Sequence, residues 1–402
     1  MDMTAMFKDC KSLEELDMSS FWMGYLVRFD NAFSGMESLR VLHTPTYVVE
    51  SVALPHGMYD ATGQVNYFLP LWLENSNILT AEKPADESVV ASGVYYGMDW
   101  VLSGDGELTI SGTYNDSEEG TIWYDYREYV KSVKVTATGV KSTKSWFYYV
   151  SNLVSCDFSA FDTSQVTDMS QMFFGCTSLT KLDVTGFNTS NVTDMSNLFA
   201  YCDELESLDV SGFDTSKVTK MRSLFSKCEK LEYIDVSEFD TSKVTLMDAM
   251  FMDCHALKYV DVSGFDTSNV TDMSYLFWGC SLLEELDLSH FKTSNVEEMG
   301  YMFFECFALK SLDVSGFDTG KVTDMDSMFR KCGSLTSLEL SNFNTSAVEN
   351  MDYLFADSAF KKLDLSSFSA ASVTSADHMF LRCDSLIEIK APCYLNSHLR
   401  YF

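Results

Sequence analysis

Seven cysteines stand at one interval: Cys176, Cys202, Cys228, Cys254, Cys280, Cys306 and Cys332, each 26 residues after the last. A strict period of this length marks a solenoid, in which each repeat stacks on its neighbours. It therefore constrains the fold before any secondary structure is assigned. A solenoid also presents a long, regular surface, which suits binding better than a buried reaction site.

The period carries a whole motif. Phe161, Phe187, Phe213, Phe239, Phe265, Phe291, Phe317 and Phe343 keep step, and Phe368 follows one residue early. Met169, Met195, Met221, Met247, Met273, Met299, Met325 and Met351 keep step too, as do Phe173, Phe199, Phe225 and Phe251. Within one unit, Leu182-Asp183-Val184 alternates apolar, polar, apolar, the period of a half-buried strand. The N-T-S after Phe187 has the composition of a turn and helix start, where side-chain oxygens cap free N–H groups. Val192, Met195, Leu198, Phe199 and Cys202 then recur at helical spacing, with Asp194 placed where a helix start favours negative charge. The unit is expected to be a short strand, a turn, one or two helical turns and a return. The fold class is α/β, a solenoid of parallel strands with short helical segments. Single units cannot bury their apolar face alone, so neighbours must complete the core.

The pattern F-D-T-S-x-V-T-D-M-S-x-M-F-x-x-C-x-S-L-x-x-L-D-V-S-G resembles the BspA-like leucine-rich-repeat surface proteins, in particular the variant of mycoplasma lipoproteins. It covers about 150–390 and most of 1–48. The resemblance implies a leucine-rich-repeat-type solenoid, and a secreted or surface-attached bacterial protein with a role in adhesion.

Two modules are expected. In residues 1–48, Phe7, Cys10, Leu13, Leu16 and Asp17 fit the template, and Phe33, Met36, Leu39 and Leu42 repeat it. Residues 49–92 lose the period; L-P-H-G-M-Y-D-A-T-G-Q-V-N-Y-F-L-P is similar to segments that end an array in this family. The expected organisation is 1–82 as the end of a first array with its cap, 83–92 as a linker, 93–130 as a β-hairpin capping region, and 131–402 as a second array. Alternation on either side of Asp105-Gly106 gives the hairpin at 97–112, and such a cap would cover an open core and strand edge. Both ends of the chain read as cut within a longer multi-module protein.

The formal net charge of −31 argues against nucleic acid and against anionic membrane surfaces. No run of about 18 apolar residues occurs, so direct membrane insertion is not expected. Of the eleven cysteines, the repeated ones sit at an apolar position that Met36, Val150 and Ser358 also fill. That substitution pattern reads as packing of buried, reduced thiols, although stacked units would bring cysteine Cα atoms within bonding range. No C-x-x-C pair suggests a metal.

The histidines are scattered, and no H-x-x-x-H, phosphate loop or G-x-S-x-G elbow appears. Repeating carboxylates invite a glycosidase reading, but they recur in every unit, whereas an active site needs one special constellation. The chain is expected to be no enzyme and to need no cofactor. The repeated acids are Asp183, Asp209, Asp235, Asp261, Asp287 and Asp313, then Glu339 and Asp364. They point outward, and the Ser or Thr two residues later, such as Thr185, Ser211 and Ser237, is placed to hydrogen bond to them. A row of bound cations or a recognition stripe is the other role open to them.

Two residues before each acid the identity varies: Lys181, Ser207, Tyr233, Tyr259, Glu285, Ser311, Ser337 and Lys362. Variation at an outward repeat position is where a solenoid can encode a ligand. Tyr233 and Tyr259 would be neighbours, flanked by Asp209, Asp235 and Asp261, and exposed rings beside carboxylates can stack on a sugar or grip a peptide. The plainer alternative is two tyrosines packing across adjacent strands. The expected function is a non-enzymatic surface module that binds a protein or glycan on a host or neighbouring cell. The alternative is a passive spacer in a larger surface protein.

Overall fold

A computed structural model describes residues 6–18, 32–43, 52–59, 65–69, 78–80, 89–116 and 122–392. The chain divides into two compact units, Met1–Lys134 and Val135–Phe402.

In the first unit, β1 (Glu15–Asp17) and β2 (Val41–His43) pair in parallel, Leu16 opposite Leu42. The step is 26 residues, and Phe33 stacks on Phe7 at 6.1 Å. Met36 is fully buried in the cysteine position. β3 (Val52–Tyr59), β4 (Val65–Leu69) and β5 (Ile78–Thr80) then run antiparallel to their neighbours, in the order β1-β2-β5-β3-β4. β5 occupies the edge of β2 that a further coil would need.

β6 (Val89–Tyr95), β7 (Met98–Ser103) and β8 (Glu107–Gly112) form an antiparallel meander. β6 begins inside the stretch assigned above to a linker; the earlier residues of that stretch lie outside the described ones. The 103–107 turn is a three-residue loop. Gly106 donates its N–H to the Ser103 carbonyl at 3.0 Å and has φ +93°. A Cβ there would lie 2.7 Å from the Tyr129 carbonyl oxygen, so only glycine fits. A 3-10 helix, Trp123–Tyr129, follows.

β9 (Ser132–Val135) spans the division between the units. The second unit is a solenoid of stacked coils. Its strands are β10 (Ser155–Asp157), β11 (Lys181–Leu182), β12 (Ser207–Leu208), β13 (Tyr233–Ile234), β14 (Tyr259–Val260), β15 (Glu285–Asp287), β16 (Ser311–Asp313), β17 (Lys362–Asp364) and β18 (Glu388–Lys390). They pair in parallel and in register: Leu182 meets Leu208, Tyr233 meets Tyr259, and Leu286 meets Leu312.

The expected helical turns are absent, and the reason is visible in the hydrogen bonds. In an α-helix each N–H beyond the first turn would bond to the carbonyl four residues earlier in the same segment. Here alternate N–H groups leave the coil: Met195, Asn197, Phe199 and Tyr201 donate to the carbonyls of Lys220, Arg222, Leu224 and Ser226 in the next coil, at 2.8–3.1 Å. The intervening ones close four-residue turns: Leu198 onto Met195, Ala200 onto Asn197 and Cys202 onto Phe199. Two residues per coil take positive φ, such as Asn197 (57°) and Tyr201 (61°), which a helix forbids. Successive turns place apolar side chains three or four residues apart, so they imitate helical spacing. The fold is a solenoid of parallel strands joined by a ribbon of turns.

Every residue of the motif has a place in this coil. Phe173, Phe199, Phe225 and Phe251 form a buried stack with ring centroids 5.8–5.9 Å apart. The buried threonines of F-D-T-S donate hydroxyls to the next coil, Thr189 to the Asp214 carbonyl and Thr215 to the Asp240 carbonyl, at 3.0 and 3.1 Å. Asp214 and Asp194 accept the N–H of the serine two residues on. Cys202, Cys228 and Cys254 are fully buried and unpaired, with each Sγ 3.1–3.3 Å from a phenylalanine carbonyl 29 residues earlier. Ser358, in the same position, donates to the Phe329 carbonyl at 2.6 Å. Where the position carries Cys or Ser the side chain also reaches this carbonyl, while Met36 and Val150 fill it by packing alone.

Candidate functional site

Alternation within each two- or three-residue strand sends one side chain inward and its neighbours out. Ile234 and Val260 enter the core while Tyr233 and Tyr259 point to solvent. The register of β13 on β14 puts these rings opposite each other. They stack face to face, 6.4 Å between centroids and 5° between planes, and remain 52% and 53% exposed. Mutual packing is thus real, yet it leaves half of each ring open.

The carboxylates named from the sequence flank this pair. Asp209 Oδ1 accepts the Ser211 hydroxyl at 2.7 Å and its N–H at 3.0 Å. Asp235 is held likewise by Ser237 at 2.8 and 3.1 Å, and Asp261 accepts the Ser263 N–H at 3.0 Å. The serine hydroxyl, then the backbone N–H, holds Asp209 and Asp261 below the usual carboxylate range. These turns fix Oδ1 of each acid. They account for the recurrence of D-V-S structurally, as the spacing suggested. Partial desolvation, then Asp235, Tyr259 and Asp261, lifts the Tyr233 phenol above its ordinary range.

A second variable row lies beside the first and went unread in the sequence: Ser178, Glu204, Lys230, Ala256, Leu282 and Ala308, two residues after each cysteine. Leu282 is 47% exposed. With Lys258, Tyr259, Glu284 and Glu285 it lines an open depression of about 420 Å³. Variation at this repeat position is the one signal in the sequence that points to it.

Ion pairs step from coil to coil along this edge. Lys258 bonds Glu232 and Lys310 bonds Glu284, both at 2.7 Å, and Lys230 pairs with Glu204. Four members of the aspartate row lack such cations: among the described residues no Lys or Arg pairs with Asp209, Asp235, Asp261 or Asp287, whereas Asp364 at the far end of the row pairs with Lys390 at 3.3 Å. His290 Nε2 lies 2.9 Å from the Val262 carbonyl; Asp287 is held below the usual carboxylate range first by the Ser289 hydroxyl, then by its N–H, with only a minor contribution from His290 nearby. Among the described residues no cluster of three or more His, Cys, Asp or Glu has metal-site geometry, and no helix is long and apolar enough to cross a membrane.

Comparison with known proteins places this architecture. The family model described as Mycoplasma protein of unknown function, DUF285, matches residues 130–231, 202–312 and 308–391. The chain belongs to that family, and the resemblance to the mycoplasma-type repeat of BspA-like proteins holds. No curated protein matches. Similar solved structures include a leucine-rich repeat protein from Eubacterium ventriosum, 17% identical over 67% of this chain and 95% of that one, with a TM-score of 0.27. Another is a leucine-rich repeat protein from Bacteroides ovatus, 16% identical over 76% of this chain and 90% of that one, with a TM-score of 0.37.

Proposed function

We propose that this chain is a non-enzymatic binding module of a bacterial cell-surface or secreted protein, and that it engages a protein or glycan on a host or neighbouring cell through its outward strand face. The observation that carries this reading is the stacked, half-exposed pair Tyr233 and Tyr259. Along the variable row, only there do neighbouring positions both carry rings. Rigid aromatic side chains supply contact area at low entropic cost, and the hydrogen-bonded aspartates beside them supply fixed acceptors. No cofactor, nucleic acid or membrane insertion belongs to this reading.

The test is a glycan and host-protein binding screen on the full chain, repeated with the double variant Tyr233→Ser/Tyr259→Ser. Ser207 and Ser311 already occupy this position elsewhere, so the variant should fold. Affinity for a captured ligand should fall more than about tenfold, or ~1.4 kcal/mol. Unchanged affinity with an intact fold moves the site elsewhere, and an empty screen favours the spacer.

A further inference from the structure

We infer that the partner of the strand face is a cationic polypeptide segment, extended along the stack, with Arg or Lys side chains that meet the tyrosine pair and the aspartate row. This rests on the proposed binding role of the face and narrows its ligand. The face is an open sheet surface whose most exposed rings are Tyr233 and Tyr259.

What decides the occupant is charge. Asp209, Asp235, Asp261 and Asp287 repeat once per coil and share no ion pair with Lys or Arg among the described residues, while Glu232 and Glu284 on the neighbouring row are already neutralised by Lys258 and Lys310. In each of the four aspartates the hydrogen bonds of the turn use Oδ1. The second oxygen is left for a partner. One per stacked coil, with β13 and β14 hydrogen-bonded to each other between them, they form a rail of negative charge along the stack. A neutral sugar leaves such a rail unpaired, and a nucleic acid is repelled by it. Guanidinium groups suit both elements, because they stack on tyrosine faces and fork onto carboxylates. A chain carrying several of them fits a site that recurs along an axis.

The probe is a labelled peptide alternating arginine and serine, with a length-matched peptide alternating glutamate and serine as its counterpart. Binding to the full chain is read by fluorescence anisotropy across a sodium chloride series. The arginine peptide should bind, weaken as salt rises, and bind more than about tenfold less tightly to Tyr233→Ser/Tyr259→Ser and to Asp209→Asn/Asp235→Asn/Asp261→Asn. A control triple, Asp214→Asn/Asp240→Asn/Asp266→Asn, removes the same charge and the same kind of turn cap outside the strand face; it should bind within about twofold of the parent, as expected for charges screened over distance. Circular dichroism melts confirm that each variant folds.

Equal weakening by both triples overturns the inference, since attraction to net charge alone would then suffice. Arginine-peptide binding that ignores the tyrosines overturns it as well. If that peptide fails to bind but a neutral ligand from the screen binds and is lost with the tyrosines, the cationic partner is wrong while the face remains the site. If no ligand binds the parent chain at all, both readings fall.

Discussion

The two sides of each coil are held by different means. On the ribbon side, three or four successive alternate N–H groups per coil bond to the next coil, and a row of bridges runs unbroken from Ser142 through Asp168, Asp194 and onward to Ser375. Beneath it lies the continuous phenylalanine stack. On the strand side, the strands are two or three residues long and pair as β11-β12, β13-β14, β15-β16 and β17-β18. Backbone order therefore comes chiefly from the ribbon. The strand side is free to vary outward, and there Ser, Lys, Tyr and Glu succeed one another at a single position.

The largest test of this contrast removes one ring from each side. Phe225 is fully buried, 5.9 and 5.8 Å from the rings before and after it. Phe225→Ala should cost about 3–5 kcal/mol, read as a drop in urea midpoint. Tyr233→Ser should change stability by no more than ~0.5 kcal/mol. Comparable losses at the two positions would break the comparison.

A sharper test uses the sign of an effect. Ala249 has φ +55° and is 7% exposed. In a helix, Ala→Gly destabilises by about 1 kcal/mol. In the ribbon, glycine relieves the left-handed strain of an L-residue, so Ala249→Gly should stabilise by about 1 kcal/mol. Destabilisation in denaturant melts would restore the helical reading.

These positions also show how far the sequence is legible. The period announced the stack, its register, the buried cysteines and the exposed tyrosine pair, because each depends only on which residues recur. The ribbon was not legible. Apolar residues three and four apart satisfy both a helix and a chain of turns, and the distinguishing feature is backbone conformation. Gly175 and Gly279 hint at the positive-φ position, but Tyr201, Lys227, Asp253 and Glu305 occupy it in other coils. Leu282 was missed because its row, unlike the strand rows, lies in a turn with no alternation to announce its direction.

The cysteine position yields a smaller effect. Cys228→Ala should cost about 1–2 kcal/mol through lost contacts. Cys228→Ser should cost less than that, since Ser358 shows that a hydroxyl reaches the equivalent carbonyl. Burial pushes the Cys254 and Cys306 thiols up to about 12. Native protein should therefore expose few reactive thiols, and denaturant should release nearly all. A serine variant less stable than the alanine variant would reduce the position to packing alone.

The smallest effect separates two sets of carboxylates. On the strand side, the Ser211 hydroxyl and then its N–H lower Asp209. On the ribbon side, burial raises Asp324, and its neighbours Asp326 and Asp352 add to the shift; burial and Asp324 likewise raise Glu298. Asp209 on one side and Asp324 and Glu298 on the other therefore act oppositely on stability, while Asp194, part-buried in the ribbon row but bonded to Ser196 and Lys220, is lowered like Asp209. A lowered folded-state value contributes stability that is present above the unfolded value, about 3.9, and is lost as pH falls through the folded value. A raised one disfavours the folded state at neutral pH, and that cost is relieved as pH falls through the raised folded value toward the unfolded one. Carboxyl carbon NMR titration should place Asp209 below and Asp324 above the ordinary range. Ser211→Ala should move Asp209 only part of the way back, because the residue-211 N–H remains. An Asp209 that titrates at or above its ordinary value would mean the strand-side carboxylates are not anchored by their turns, and the rail of fixed acceptors beside Tyr233 and Tyr259 would lose its physical basis.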